Sequence, residues 1–174
     1  PNVRLFNDFG STEAIGSAYF EWSAFPPKPD CVGVASLHSK IIFLNEDGTV
    51  IENSSRNCPG IIATEGGTLM SGYLNDPELT AKVMRDGRVW SNDLGYQGKD
   101  NMIYILGRKD DMIVSGANKI SPSEIEDVVL RISGVKECAC VPKPDRIMGQ
   151  MPALFIVWEK EALSPDKLSE ILGK

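Results

Sequence analysis

A chain of 174 residues with 42% hydrophobic and 24% charged side chains has an ordinary globular composition, and its length allows one domain or two small ones. Its net charge of −6 argues against a general nucleic-acid binder or a partner of anionic membranes, but leaves room for a local basic site for phosphates. The four cysteines (Cys31, Cys58, Cys138 and Cys140) form no C-x-x-C pair, and with one histidine, His38, they argue against zinc and for the reduced thiols of a cytoplasmic protein. No signal peptide is evident, and no apolar run approaches the ~18 residues of a membrane span. The chain opens at Pro1 without methionine and closes at Lys174 just after a helix start, so it reads as a fragment of a longer protein.

In chain order, Val3 to Phe6 is expected to be a strand that runs into a tight turn, Asn7-Asp8-Phe9-Gly10-Ser11-Thr12-Glu13. Such a turn can offer backbone N–H groups, a threonine hydroxyl and a metal-binding acid to a phosphate; it can equally be a Ser11 or Thr12 N-cap of a short helix. The Pro-rich stretch Phe25 to Asp30 is the one long connection. Residues 33–74 predict antiparallel β structure. Lys40 to Leu44 is a strand, Asp47-Gly48 a hairpin turn, Val50-Ile51 its return, and Ile61 to Thr64 another strand. Asp76-Pro77-Glu78 predicts a helix through about Met84, with Leu79 and Val83 on one face and Asp86-Gly87 closing it.

Arg88 to Trp90 is expected to be a short strand ending in Ser91-Asn92-Asp93-Leu94-Gly95. Asp93 there could accept hydrogen bonds from vicinal hydroxyls such as those of a ribose, or cap its own turn. Tyr96 to Gly107 predicts a hairpin turning at Lys99-Asp100-Asn101. Then comes GRKDDMIVSGANKISPSEIE, Gly107 to Glu126, which reads as a solvated joint between two bodies. Its small-residue loop could admit a ligand close to the backbone, and a plain charged connection remains the alternative. Ser121, Pro122 and Glu124 predict a helix start with a capping box, and Ile125, Val128, Val129 and Ile132 its inward stripe, ended by Gly134. Strands follow at Val135 to Val141 and Ala153 to Trp158, then a helix from Ser164-Pro165 with Leu168, Ile171 and Leu172 inward.

Five of these segments, in this order, resemble the adenylate-forming superfamily of acyl-CoA synthetases, peptide-synthetase adenylation domains and luciferases. FGSTEA (Phe9 to Ala14) resembles the aromatic-Gly-x-Thr-Glu motif, with phenylalanine where tyrosine is more usual. GGTLMSGYLNDPELT (Gly66 to Thr80) is similar to Gly-Tyr-x-x-x-Pro-x-x-Thr, a segment read as mainly structural. WSNDLG (Trp90 to Gly95) is similar to the Thr-Gly-Asp motif, with Ser91 and Asn92 in the first two places. GRKDD holds a matching arginine and hinge acid. SGANKISPSEIE resembles the Ser-Gly-Gly-Glu-Asn-Ile-x-Pro loop of acyl-CoA ligases, with Ala117, Asn118 and Lys119 departing from it.

The resemblance implies a distorted antiparallel β-barrel-like subdomain over residues 1–109, the end of a large adenylation domain. A hinge at Asp110 joins it to an incomplete small α/β lid domain over 110–174, an α+β architecture overall. It implies that Phe9 packs on adenine, Thr12 touches the α-phosphate, Glu13 holds Mg2+, Asp93 binds the ribose and Arg108 contacts the nucleotide. Ser115, Gly116 and Ala117 would line a channel for CoA. The implied reaction joins a carboxylic acid to ATP as an acyl-adenylate and then to CoA as a thioester, with a fatty acid as the leading substrate class. Loading of a carrier-protein thiol and a non-catalytic nucleotide-binding module are the alternatives. The phosphate loop is implied upstream of Pro1 and the catalytic lysine beyond Lys174, so the fragment alone is expected to be inactive. Lys174 itself falls too early after Glu126 and lacks the preceding Pro-x-x. No nucleic acid is expected as partner, and self-association is left open.

Overall fold

The computed structural model describes residues 3–21, 28–159 and 162–172. The chain divides after Lys109 into two compact units. The first contains β1 (Phe6–Phe9), β2 (Ala18–Glu21), β3 (Cys31–Ala35), β4 (Ser39–Leu44), β5 (Gly60–Gly66), α1 (Pro77–Val83), β6 (Met84–Arg85), β7 (Arg88–Gln97) and β8 (Ile103–Arg108). These strands form one antiparallel sheet in the order β1-β2-β3-β8-β7-β5-β4, with β6 on the start of β7. The path does not return from β4 to β1, so among the described residues the sheet is open and forms no closed barrel.

Near-continuous apolar runs in β4 and β5 follow from burial on both faces. Alternation sends Phe43 and Ile62 into one cluster with Ala18 and Ile103, while Ile42, Leu44 and Ala63 form a second against Trp90. Phe9 packs at the margin of the first cluster. Burial of this kind stabilises by ~25 cal/mol per Å2 of apolar surface.

Local structure departs from the sequence expectation where pairing overrides pattern. The first strand covers Phe6–Phe9 instead of Val3 to Phe6, because Asn7 and Asp8 align with Phe20 and Tyr19 of β2 while Val3 and Leu5 stay exposed. The return after Asp47-Gly48 is only a bridge between Val50 and Leu44. The helix begins as expected, with Asp76 accepting from the Leu79 N–H at 2.9 Å. It stops at Val83 and buries no residue, because Met84–Arg85 turns at Asp86-Gly87, both at positive φ, into a hairpin with β7. The hairpin turn near Asn101 (φ 62) forms where expected. The Pro-rich connection lies outside the described residues as far as Pro27, as does Lys174.

The second unit contains β9 (Ile113–Ser115), β10 (Asn118–Ile120), α2 (Pro122–Leu130), β11 (Val135–Asp145), β12 (Gly149–Trp158) and α3 (Pro165–Leu172). Its sheet is antiparallel in the order β10-β9-β12-β11. Helix α2 packs on β11, where the Glu126 carboxylate accepts from the Cys140 N–H at 2.7 Å. Pro122 opens α2 as expected, but Ser121 makes no capping hydrogen bond; its hydroxyl pairs with that of Ser123 at 2.7 Å. Of the anticipated stripe Val129 is fully buried while Val128 is half exposed, so the inward face is narrower than the spacing suggested. Leu168 of α3 is half-buried and Ile171 is exposed. All four cysteines are free thiols, and burial pushes those of Cys138 and Cys140 up.

Candidate active site

The turn that follows β1 is fixed from within. Ser11 N–H donates to the Ala14 carbonyl at 3.1 Å, and the Ser11 hydroxyl accepts from the N–H groups of Glu13 and Ala14, each at 3.2 Å. A Cβ at Gly10 would lie 2.8 Å from both the Ala14 oxygen and the Gly16 nitrogen, so this tight return requires glycine. Ala14 and Ser17 are buried, and Ser17 donates to the Ala14 carbonyl and accepts from Thr64 of β5. Thr12 is exposed and Glu13 half-buried beyond this anchor. The alternative, a short helix capped by Ser11 or Thr12, does not form. Tyr73 donates to Glu13 Oε1 at 2.6 Å, and that hydrogen bond is the main cause holding the carboxyl below its ordinary range.

Asp93 and Arg108 stand opposite each other in the β7–β8 register, with Arg108 Nε 3.5 Å from Asp93 Oδ1. Asp93 lies inside a long strand, not at a strand end. A register shift between Leu94 and Gly95 still breaks the ladder beside it, and the Ser91 hydroxyl accepts from its N–H at 3.0 Å. Gly95 is essential to this bulge, because a Cβ there would meet the Tyr104 oxygen at 2.4 Å. The Arg108 side chain is 58% exposed and that of Asp93 21%, so the pair is open to a ligand from solvent. Lys109 follows, its N–H bound to the Asn92 carbonyl at 2.6 Å. Among the described residues no hydrogen bond or ion pair joins the Glu13 turn to the Asp93–Arg108 pair; they are two stations on one sheet.

In the second unit the small-residue loop is a hairpin tip between β9 and β10. Gly116 at φ 59 takes the first turn position, and Ala117 the second. Gly116 and Ala117 are exposed, whereas Ser115 is buried with its hydroxyl 3.3 Å from Met151 Sδ. The Gly116 N–H donates to the Met148 carbonyl at 2.8 Å, which ties the tip to the β11–β12 turn. Asp110, the expected hinge acid, is exposed at the first position of this unit.

Comparison with known proteins bears on what these stations belong to. The family model for the AMP-binding enzyme C-terminal domain matches residues 124–174. The 2-succinylbenzoate–CoA ligase of Listeria monocytogenes is 31% identical over 91% of the chain, which covers 32% of that protein. The 4-coumarate–CoA ligase of Vanilla planifolia is 28% identical over the whole chain and 32% of its own length. The solved O-succinylbenzoate coenzyme A synthetase of Bacillus subtilis, in complex with its acyl-adenylate intermediate, matches 98% of the chain and 34% of its own with 26% identity and a TM-score of 0.87. The same enzyme in complex with ATP and magnesium gives 25% identity and a TM-score of 0.84 over 97% of the chain and 34% of its own. The chain belongs to the adenylate-forming superfamily. It spans about a third of the length of the curated relatives it matches.

Membership in the adenylate-forming superfamily raises the question of a divalent cation. Among the described residues no three His, Cys, Asp or Glu side chains converge on one metal-sized space. The turn offers a single ionised carboxylate, Glu13, and that donor set fits magnesium, which takes one or two carboxylates beside phosphate oxygens and water. Tyr73 is the residue whose contact with this site was missed in sequence. Its partner lies 60 positions away, and the only signal was its place in the Gly-Tyr-x-x-x-Pro motif.

Proposed function

We propose that this chain is the C-terminal part of an AMP-forming carboxylic acid–CoA ligase. The observation that carries the reading is the pairing of Asp93 with Arg108 on adjacent strands, in the same sheet as the Glu13 turn, within a chain of this superfamily. Asp93 offers carboxylate oxygens to the two ribose hydroxyls of ATP, and Arg108 offers donors on the same side of the strand pair. Phe9 lends an aromatic surface to adenine, and the exposed Thr12 hydroxyl donates to the α-phosphate. Glu13 would hold magnesium, which neutralises phosphate charge when bound. The substrate carboxylate attacks the α-phosphorus, pyrophosphate leaves, and an acyl-adenylate remains; positioning and charge stabilisation carry this step.

In the second half-reaction the CoA thiol attacks the acyl carbonyl and AMP departs. We assign the approach of its pantetheine arm to the exposed Gly116-Ala117 tip, with Asp110 as the hinge between an adenylation body (1–109) and a lid (110–174). Ser115 supports that tip from the inside through Met151. The acid is a fatty or aryl carboxylate: the named relatives act on 4-coumarate and 2-succinylbenzoate, which supports the aryl branch. A cytoplasmic location suits the free thiols and the CoA pool.

The test is ATP–pyrophosphate exchange by the full-length protein over a panel of fatty, aryl and short-chain acids, followed by addition of CoA or a carrier protein. Exchange with one acid class and thioester on CoA supports the ligase. Exchange with thioester only on a carrier protein changes the acceptor. Nucleotide binding without exchange for any acid removes the reading.

A further inference from the structure

Residues 67–76, between β5 and α1, fold back along the Glu13 turn. Two main-chain hydrogen bonds, from the Ile15 N–H to the Thr68 carbonyl at 3.4 Å and from the Met70 N–H to the Glu13 carbonyl at 2.8 Å, form an antiparallel bridge between Ala14 and Leu69. The third link is between side chains, from the Tyr73 hydroxyl to Glu13 Oε1. Tyr73 is itself held from behind. Its N–H donates to the Thr80 hydroxyl at 2.9 Å, and that hydroxyl donates to the Asp76 carbonyl at 2.8 Å. Asp76 caps α1, so the tyrosine is tied to the first turn of a helix. At the neighbouring Gly72 (φ 142), a Cβ would press on Thr80 Cγ2 at 3.0 Å, which keeps the loop closed on the threonine.

A loop that only needed fastening to the turn already has this main-chain bridge. The phenol adds something different, because it reaches the one carboxylate in the turn after β1, the donor a hard cation favours. We propose that Tyr73 is a positioning residue for Glu13, orienting its carboxylate toward a metal-bound triphosphate through the chain Asp76–Thr80–Tyr73–Glu13. This assignment rests on the ligase reading and deepens it. Outer partners that orient a ligating carboxylate typically affect metal affinity or activity by about 10–100-fold.

The experiment compares the full-length protein with Tyr73→Phe, which removes one oxygen and keeps the ring. Binding of Mn2+ to the ATP complex is followed by electron paramagnetic resonance, alongside the magnesium dependence of pyrophosphate exchange. The expected result is about tenfold weaker Mn2+ binding and a matching rise in half-saturating magnesium. Thioester formation from supplied acyl-adenylate and the melting temperature should stay unchanged. A Glu13→Gln, Tyr73→Phe double variant should be no worse than Glu13→Gln alone, because the tyrosine acts through that carboxylate. Wild-type Mn2+ affinity in Tyr73→Phe overturns the assignment, as does an equal loss in both half-reactions with a lowered melting temperature. If the wild type binds Mn2+–ATP but exchanges with no acid, the ligase reading fails while the Mn2+ comparison still decides the role of Tyr73. If the wild type binds no Mn2+–ATP, the assignment falls.

Discussion

The two units are built to different depths. The first closes two apolar clusters on opposite faces of its sheet, and Phe9, Glu13, Asp93 and Arg108 are each braced by main-chain bonding to a neighbouring strand or loop. The second is a long β11–β12 hairpin with Ile113, Val129 and Cys140 buried and with Val141, Met151, Phe155 and Val157 exposed. Its candidate tip is held by a two-residue turn, one N–H to Met148 and one serine–methionine contact. A deep core supports residues that must hold a charged ligand in one geometry. On the proposed reading, a shallow one suits an element that presents a loop to a second substrate.

The sharpest way to break this contrast is to hollow out the deeper core. Ile62→Ala, at a residue 1% exposed, should cost ~2–5 kcal/mol in urea unfolding, since the flanking strands cannot collapse onto the gap. A loss under 1 kcal/mol would mean the first unit is as loosely packed as the second. Smaller and more local is a pair on α2. Val129→Ala should cost ~1.5 kcal/mol, from about 0.8 kcal/mol per buried methylene-sized group, whereas Val128→Ala should stay within about 0.5 kcal/mol. Equal costs would show that the exposed face of α2 is packed in the whole protein.

Smallest is an acid-side effect in the first unit. The Lys28 ammonium and then the Tyr104 hydroxyl hold the Asp100 carboxyl at about 2, below its ordinary 3.8. A depressed carboxyl contributes stability that is complete above the unfolded value and lost as pH falls toward the folded one. Wild type should therefore lose stability between pH 3.8 and about 2 slightly more steeply than Asp100→Asn, and only slightly because the side chain is 35% exposed. Identical acid slopes would remove that network from the account.

Much of the fold was legible in the sequence because its signals are local. Pro122, the Asp76 cap, the alternating core of β4 and the turn near Asn101 each act within a few residues. The misses were decided by distant partners. Asn7 and Asp8 enter a strand because β2 lies beside them, and Asp93 stays inside β7 because β8 continues past it. The bond between Tyr73 and Glu13 joins residues that only the folded loop brings together. For the site, motif order was readable as chemistry, while the inward turn of Ser115 depended on Met151 across the second sheet.

The division of labour between the units is tested most directly by Ala117→Phe in the full-length protein, assayed separately for pyrophosphate exchange and for thioester formation from supplied acyl-adenylate. Ala117 is exposed at the hairpin tip, so a bulky side chain there can obstruct an arriving thiol without unsettling the core. The account predicts exchange within about twofold of wild type and thioester formation lowered by about tenfold or more, because a misplaced reactant loses its alignment. Equal losses in both half-reactions, or none in either, would contradict it.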